Sequence, residues 1–243
     1  MNVERRSLLG GAAEARGIVV VIDVLRAFTC SALMFRYGIR DLALVRSPEE
    51  ALAFRAADPG YLVAGEVKGR RVDGFDLGNS PADVVAKGES FFNGRRVAAR
   101  SSAGTQGVLA AAPRANQLIL GSYLTAGATA SYIRDSARVH ALVHGEDVAV
   151  TLVAMGFEGV RPSIEDERCA DYLEHLLTGA PYDHLQTLWD CMHDPEIAAS
   201  LRGEHDYRPR EDVVLALQRD LFDFVMIGQP EDGHVRVTRR DLR

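Results

Sequence analysis

Ile18-Val19-Val20-Val21-Ile22-Asp23-Val24-Leu25-Arg26-Ala27 decides the fold. Its first five residues are all β-branched, too dense an apolar run for a half-exposed strand, and they predict a central strand covered on both faces. The run ends in a carboxylate and then a guanidinium, and the spacing predicts a helix over Ala27 to Tyr37, closed by Gly38. Outward from there, short strands are expected at Leu42–Val45, Tyr61–Ala64, Arg96–Ala99, Gln117–Leu120, Val139–Val143 and Val148–Val153. Helices are expected between them. Ser47-Pro48-Glu49-Glu50 starts one with a cap, a proline and acids in the first turn, and Gly104–Ala112 and Leu124–Arg134 give two more. Such alternation predicts a layered α/β/α domain with a largely parallel or mixed central sheet.

The character changes near residue 180. Leu185, Leu188, Trp189 and Met192 keep helical spacing, as do Val213, Val214, Leu217, Leu221 and Phe224, and His234–Thr238 reads as an edge strand. One α/β body over about residues 15–180 with a C-terminal helical extension over 181–243 is the expected organisation. The chain has 243 residues, 47 % hydrophobic and 26 % charged, so it can bury a large core and is not disordered. Its charge is 28 − 34 = −6 with no basic block, which argues against nucleic-acid and membrane partners. Cys30, Cys169 and Cys191 are too few and too scattered for a disulfide framework. Glu4-Arg5-Arg6-Ser7-Leu8-Leu9 has the twin arginine of an export signal, but the apolar stretch behind it is broken by Glu14 and Arg16. A soluble cytoplasmic protein is expected, with self-association as a homo-oligomer left open.

In open α/β sheets ligands sit beyond the carboxyl ends of the strands. Polar residues fall there repeatedly. Asp23 and Arg26 follow the first strand, as a site or as an ion pair fixing the helix entry; Gly65-Glu66 ends the third. Gly74-Phe75-Asp76-Leu77-Gly78-Asn79-Ser80-Pro81 leads into a helix that Ser80 can cap. Arg100-Ser101-Ser102-Ala103-Gly104-Thr105 opens another, where free backbone N–H groups favour an anion or a simple cap. Past Val153, the apolar stripe Cys169, Tyr172, Leu173, Leu176 and Leu177 extends backwards onto Glu165 and Asp166, placing both acids on the inward face; a Ser163–Asp166 capping box would explain only Asp166. The chain carries no Walker A loop, G-x-S-x-G, H-E-x-x-H or G-x-G-x-x-G, and Leu25 stands where a haloacid-dehalogenase-type phosphatase needs its second Asp. His140 and His144 are read as structural residues beside a strand.

The strings Asp23-Val24-Leu25-Arg26-Ala27, Gly65-Glu66, Gly74 to Pro81, Ser101 to Thr105 and Ile164-Glu165-Asp166 together resemble the 2-phosphosulfolactate phosphatase family over about residues 15–180. Where that family carries Thr-Thr-Asn-Gly-Thr, this chain has Ala103 in place of the Asn. The resemblance implies an α/β/α fold and a Mg²⁺-dependent phosphatase of 2-phospho-3-sulfolactate, in coenzyme M biosynthesis, with a small phosphoester as its partner. On that reading Asp23, Arg26 and Glu165 are catalytic, Asp23 as nucleophile, general base or metal ligand. Asn79, Ser80, Ser101, Ser102, Gly104 and Thr105 bind phosphate, and Glu66, Asp76 and Asp166 hold the metal. A non-catalytic binder of a phosphorylated or carboxylated metabolite is the alternative, and an assembly subunit built on the C-terminal helices a third.

Overall fold

The computed structural model describes residues 1–242. Ten strands form one mixed sheet: β1 (Asn2–Ser7), β2 (Gly17–Ile22), β3 (Asp41–Leu44), β4 (Tyr61–Val67), β5 (Arg70–Arg71), β6 (Arg96–Arg100), β7 (Ala115–Gly121), β8 (Ala149–Ala154), β9 (Phe224–Glu231) and β10 (His234–Asp241). Their order is β1-β8-β2-β7-β9-β10-β3-β6-β4-β5. Two parallel blocks, β1-β8-β2-β7 and β3-β6-β4, are joined by the antiparallel β9–β10 hairpin. The layered α/β architecture with a mostly parallel sheet is as the residue pattern predicts.

Following strand directions across the hairpin, β3, β6 and β4 run opposite to β2 and β7. A flat sheet would put the carboxyl ends of β2 and β4 on opposite edges. Neighbouring strands are turned by roughly 20–25°, so the six steps from β2 to β4 accumulate on the order of 120–150°. That rotation nearly cancels the reversal and returns both carboxyl ends to one side. The sheet wraps around α5 (Gly104–Ala111), which touches β2, β7, β10, β3 and β6.

The strand residues alternate between two environments, as a pleat requires. Val19, Val21, Leu42, Leu44, Leu62, Ala64 and Val97 face the inner core, with α2 (Ala27–Arg36), α4 (Pro81–Phe92) and α5. Ile18, Val20, Ile22, Val150 and Leu152 face outward onto α6 (Ala126–His144) and α7 (Ile164–Thr178). Ala43, Val63 and Ala98 pack under α3 (Pro48–Ala57), whose Ser47–Glu50 capping box forms as its sequence predicts. Three short helices follow α7: α8 (His184–His193), α9 (Pro195–Leu201) and α10 (Arg210–Ala216). The remaining helix, α1 (Leu8–Glu14), packs on α5.

Four expectations are corrected. Val139–Val143 is not a strand but the last turns of α6, which runs unbroken until Gly145 caps it at φ 71°. Val139, Leu142 and Val143 are exposed there; a short apolar stretch without a buried face does not make a strand. His140 and His144 therefore sit one helical turn apart on α6, their rings 4.5 Å apart. The helix expected to reach Phe224 stops at Ala216, and Phe224 instead opens β9. β10 is not an edge strand: it lies between β9 and β3. β1, carrying the paired arginines, is a strand the pattern did not predict, held where Arg5 bonds Glu167 at 2.7 Å and Asp171. No described helix is long and apolar enough to cross a membrane.

Candidate functional site

A cleft opens where β2, β4 and β6 end. It holds about 490 Å³ of free space counted to its open mouth, and its lining includes Asp23, Arg26, Glu66, Asn79, Ser102 and Ala103. A larger surface hollow between α6 and β10, lined by Gln117, Asp135 and Arg240 among others, contains none of the expected site residues.

The floor is built from two carboxylates, each fixed by backbone N–H groups. Asp23 follows the last residue of β2; its Oδ1 accepts from Ala27 N at 3.0 Å and its Oδ2 from Gly104 N at 2.7 Å. A side chain at Gly104 would place Cβ 2.5 Å from Asp23 Oδ2, so only glycine lets the helix come this close. Glu66 accepts from Ser102 N and Gly69 N, both at 2.5 Å, and from Ser102 Oγ at 3.2 Å. Burial pushes Asp23 up to about 6, against the pull of its Ala27 and Gly104 N–H donors, and Glu66 adds like-charge repulsion.

The Ser101–Thr105 loop is therefore not the open anion cradle that its sequence suggests. The N–H groups of Ser102 and Gly104 already hold Glu66 and Asp23. Ser101 and Thr105 close on each other, Thr105 N donating to Ser101 Oγ at 2.9 Å and Ser101 N to Thr105 Oγ1 at 3.1 Å. The dipole of α5 favours negative charge at this end, and the chain supplies that charge from its own acids. Only Ser102 and Ala103 of the loop line the cleft. Ser80 is likewise committed, capping α4 and donating to Asp212 Oδ1 at 2.7 Å.

The roof comes from the far end of the chain. Arg26 is 6 % exposed and held by three acceptors: one Nη donates to Tyr207 O at 2.6 Å and to Asp212 Oδ2 at 3.0 Å, the other to Gly69 O at 2.9 Å. The Leu25–Arg26 peptide is cis. Asp212, on α10 and completely buried, also accepts from Ala82 N at 2.9 Å. The Tyr207 ring packs on Gly69, where a Cβ would come within 2.7 Å of it, and Arg26 and Arg70 stack on its faces at 5.9 and 5.0 Å. Residues 205–212 thus close the cleft from above. Tyr207, Arg208 and Asp212 escaped sequence reasoning; a Pro-containing polar loop carries no spacing signal that ties it to Arg26.

The three expected metal ligands do not converge. Asp76 stands outside the cleft, its Oδ2 accepting from Val63 N at 2.8 Å and Arg55 at 3.1 Å; it pins the chain crossing to α4 against β4. Asp166 lies behind the floor, with Val24 N at 2.7 Å and Gly156 N at 2.8 Å on its two oxygens, so it bonds across to the β2 and β8 loops rather than to its own helix cap. Burial, Glu165 and Asp23 together hold its carboxyl well above the usual range. Glu165 is buried beside it without lining the cleft; desolvation raises it to about 7, moderated by its own backbone N–H, Ser163 and Arg208. Among the described residues no group of three or more His, Cys, Asp or Glu side chains forms a metal cage. What remains at the cleft is the pair Asp23 and Glu66, with Asn79 and Glu158 on its lining. Hard oxygen donors of this number fit Mg²⁺, which takes one or two protein carboxylates and fills its shell with water and phosphate oxygens.

A wrapped α/β sheet whose strand ends hold two acids under an arginine-bearing roof defines a small-ligand cleft of the α/β class. Residues 6–231 match the family model described as 2-phosphosulpholactate phosphatase, and the chain belongs to that family. A Bacillus subtilis protein named "Probable 2-phosphosulfolactate phosphatase" is 29 % identical over 228 residues, covering 92 % of this chain and 91 % of its own length. Proteins with the same name from Deinococcus radiodurans (37 % over 162 residues) and Thermus thermophilus (34 % over 160) cover 66 % of this chain. The chain spans under two thirds of those two, 62 % and 61 % respectively.

Proposed function

We propose that this chain is a Mg²⁺-dependent phosphatase that hydrolyses 2-phospho-3-sulfolactate to 3-sulfolactate and phosphate. The observation that carries the reading is the Asp23–Glu66 pair: two buried acids facing one small cleft, Asp23 oriented by the N–H groups of Ala27 and Gly104 and Glu66 by those of Ser102 and Gly69. Buried like charges are costly unless a cation or a proton offsets them, and such pairs concentrate at working sites. Glu66 would hold the cation, leaving Asp23, which faces the same cleft, to act on the attacking water. When bound, the cation supplies neutralisation of the phosphoryl oxygens, the term that dominates phosphoryl transfer.

The chain's own groups do the rest. With its pKa near 6, Asp23 is ionised at neutral pH yet basic enough to accept a proton from an attacking water. Its two N–H donors leave a lone pair on each oxygen for that task. Arg26 works indirectly, tying Tyr207 O, Gly69 O and Asp212 together so that the roof keeps its distance from the floor. The exposed mouth lets phosphate leave.

Phosphate release from 2-phospho-3-sulfolactate tests the reading. Activity is expected to vanish in EDTA, return with Mg²⁺ and rise with pH through about 6. Asp23→Asn should lower turnover by roughly a thousandfold, the usual scale for removing a proton-transfer group. Full activity in EDTA, or an unimpaired Asp23→Asn enzyme, would overturn the assignment.

A further inference from the structure

We propose that Arg208 is the specificity-determining residue of this cleft and binds a second anionic group, carboxylate or sulfonate, carried by the phosphomonoester. The inference rests on the phosphatase reading above and adds to it the part of the substrate that does not react.

Two arginines line the cleft, and the structure treats them differently. Arg26 faces the completely buried Asp212 at 3.0 Å, which neutralises it, and it also donates to the Tyr207 and Gly69 carbonyls. Arg208 is just as buried, 7 % exposed, but its bonding is incomplete. One Nη donates to Glu196 O at 3.0 Å, while its Nε is buried with no acceptor among the described residues. Its acidic neighbour, the Glu196 carboxylate at 3.5 Å, has its side chain 44 % exposed, so water screens that charge. A guanidinium held in place, desolvated and only partly paired is a costly arrangement for structure alone. An anion that offers two oxygens completes it, and the arginine fork matches a pair of carboxylate or sulfonate oxygens in this way.

The opposite wall strengthens the inference. Asp23 and Glu66 occupy the floor, and the N–H groups of Ser102 and Gly104 are already taken by them. An anion distant from the phosphoryl group finds no free cation on that side. Of the two arginines lining the cleft, Arg208, brought in by the roof, is the one with no carboxylate hydrogen-bonded to it, Glu196 and the buried Glu165 acting on it only as nearby charges. A phosphomonoester with a second acid group therefore spans the cleft, its phosphate over the floor and its acid under Arg208.

The test compares 2-phospho-3-sulfolactate with p-nitrophenyl phosphate, which lacks a second acid. Arg208→Gln is expected to raise KM for the sulfolactate ester by about tenfold or more, with kcat within about threefold, the scale for losing one charge-assisted contact. On p-nitrophenyl phosphate kcat/KM should change by less than about threefold, and Arg208→Lys should recover part of the sulfolactate KM. Equal loss on both esters, or no loss on either, overturns the proposal. If the Gln variant does not fold, Arg208→Lys alone decides: the preference between the esters must shift toward p-nitrophenyl phosphate by about threefold or more, and an unchanged preference refutes the role. Should the wild-type enzyme cleave no ester, the activity reading fails by itself. Calorimetric titration with 3-sulfolactate then still reads Arg208: binding weakened about tenfold in Arg208→Gln supports it, and equal affinity, or no binding by the wild type, overturns it.

Discussion

The floor and the roof of the cleft meet at Arg26 but are made in opposite ways. The floor is local: Asp23, Glu66 and the Ser101–Thr105 loop each sit at the end of a strand, and short backbone N–H bonds hold the acids. The roof is remote: Tyr207, Arg208 and Asp212 come from the far end of the chain, and Tyr207 O and Asp212 bond Arg26 across more than 180 residues. Strand ends make positions that a short motif can specify. A roof made by long-range packing needs the whole sheet to assemble first.

If that difference is right, the roof carries as much free energy as the floor. Asp212→Ala leaves the buried Arg26 uncompensated and strips Ser80 and Ala82 N of their acceptor. Denaturant unfolding should report a loss of about 3–5 kcal/mol, the usual consequence of breaking a buried ion pair from one side. A loss under about 1 kcal/mol would mean that Arg26 finds water or another acceptor, and that the roof is an ornament of the fold rather than part of its core.

The second comparison sets the floor acids against those behind them. Glu165 and Asp166 share one buried helix face, yet Asp166 has two N–H donors and Glu165 has none from other segments. Glu165 has a folded pKa near 7, above its ordinary value of about 4.5, so ionising it costs stability. Its contribution is fully present below pH 4.5 and is lost as pH rises through 7. Glu165→Gln is neutral throughout. Relative to wild type it should gain about 2–3 kcal/mol between pH 5 and pH 8, the direction set by desolvation and the size by the pKa displacement. A pH-independent gap between the two proteins would show that Glu165 is already neutralised by a partner such as Arg208.

These contrasts explain what the residue pattern could and could not reveal. The β2 run, the Ser47 cap and the inward stripe of α7 were legible because each is a local rule: pleat, cap, helical period. Glu165 and Asp166 lie buried where the stripe places them. The β9–β10 hairpin was illegible as a sheet centre, since its exposed tip and polar residues resemble an edge, and only pairing with β7 and β3 covers it. The anion loop misled for a different reason. A helix start offers N–H donors to an anion, but nothing in the spacing says that the chain's own acids fill them.

Asp76 and Glu66 bring that last point to the smallest measurable effect. Both are acids near the end of β4, and the family resemblance casts both as metal ligands. The structure separates them by what surrounds each oxygen: Glu66 faces the cleft, and Asp76 faces Val63 N and the Arg55 guanidinium, half in solvent. Asp76→Asn keeps an acceptor for Val63 N and loses an exposed ion pair, so stability should fall by no more than about 1 kcal/mol. The Mg²⁺ concentration for half-maximal phosphate release should stay within about twofold of wild type, whereas Glu66→Gln should raise it by about tenfold or more. A metal midpoint that moves as far for Asp76→Asn as for Glu66→Gln would reunite the two acids and place the cation between β4 and α3 rather than in the cleft.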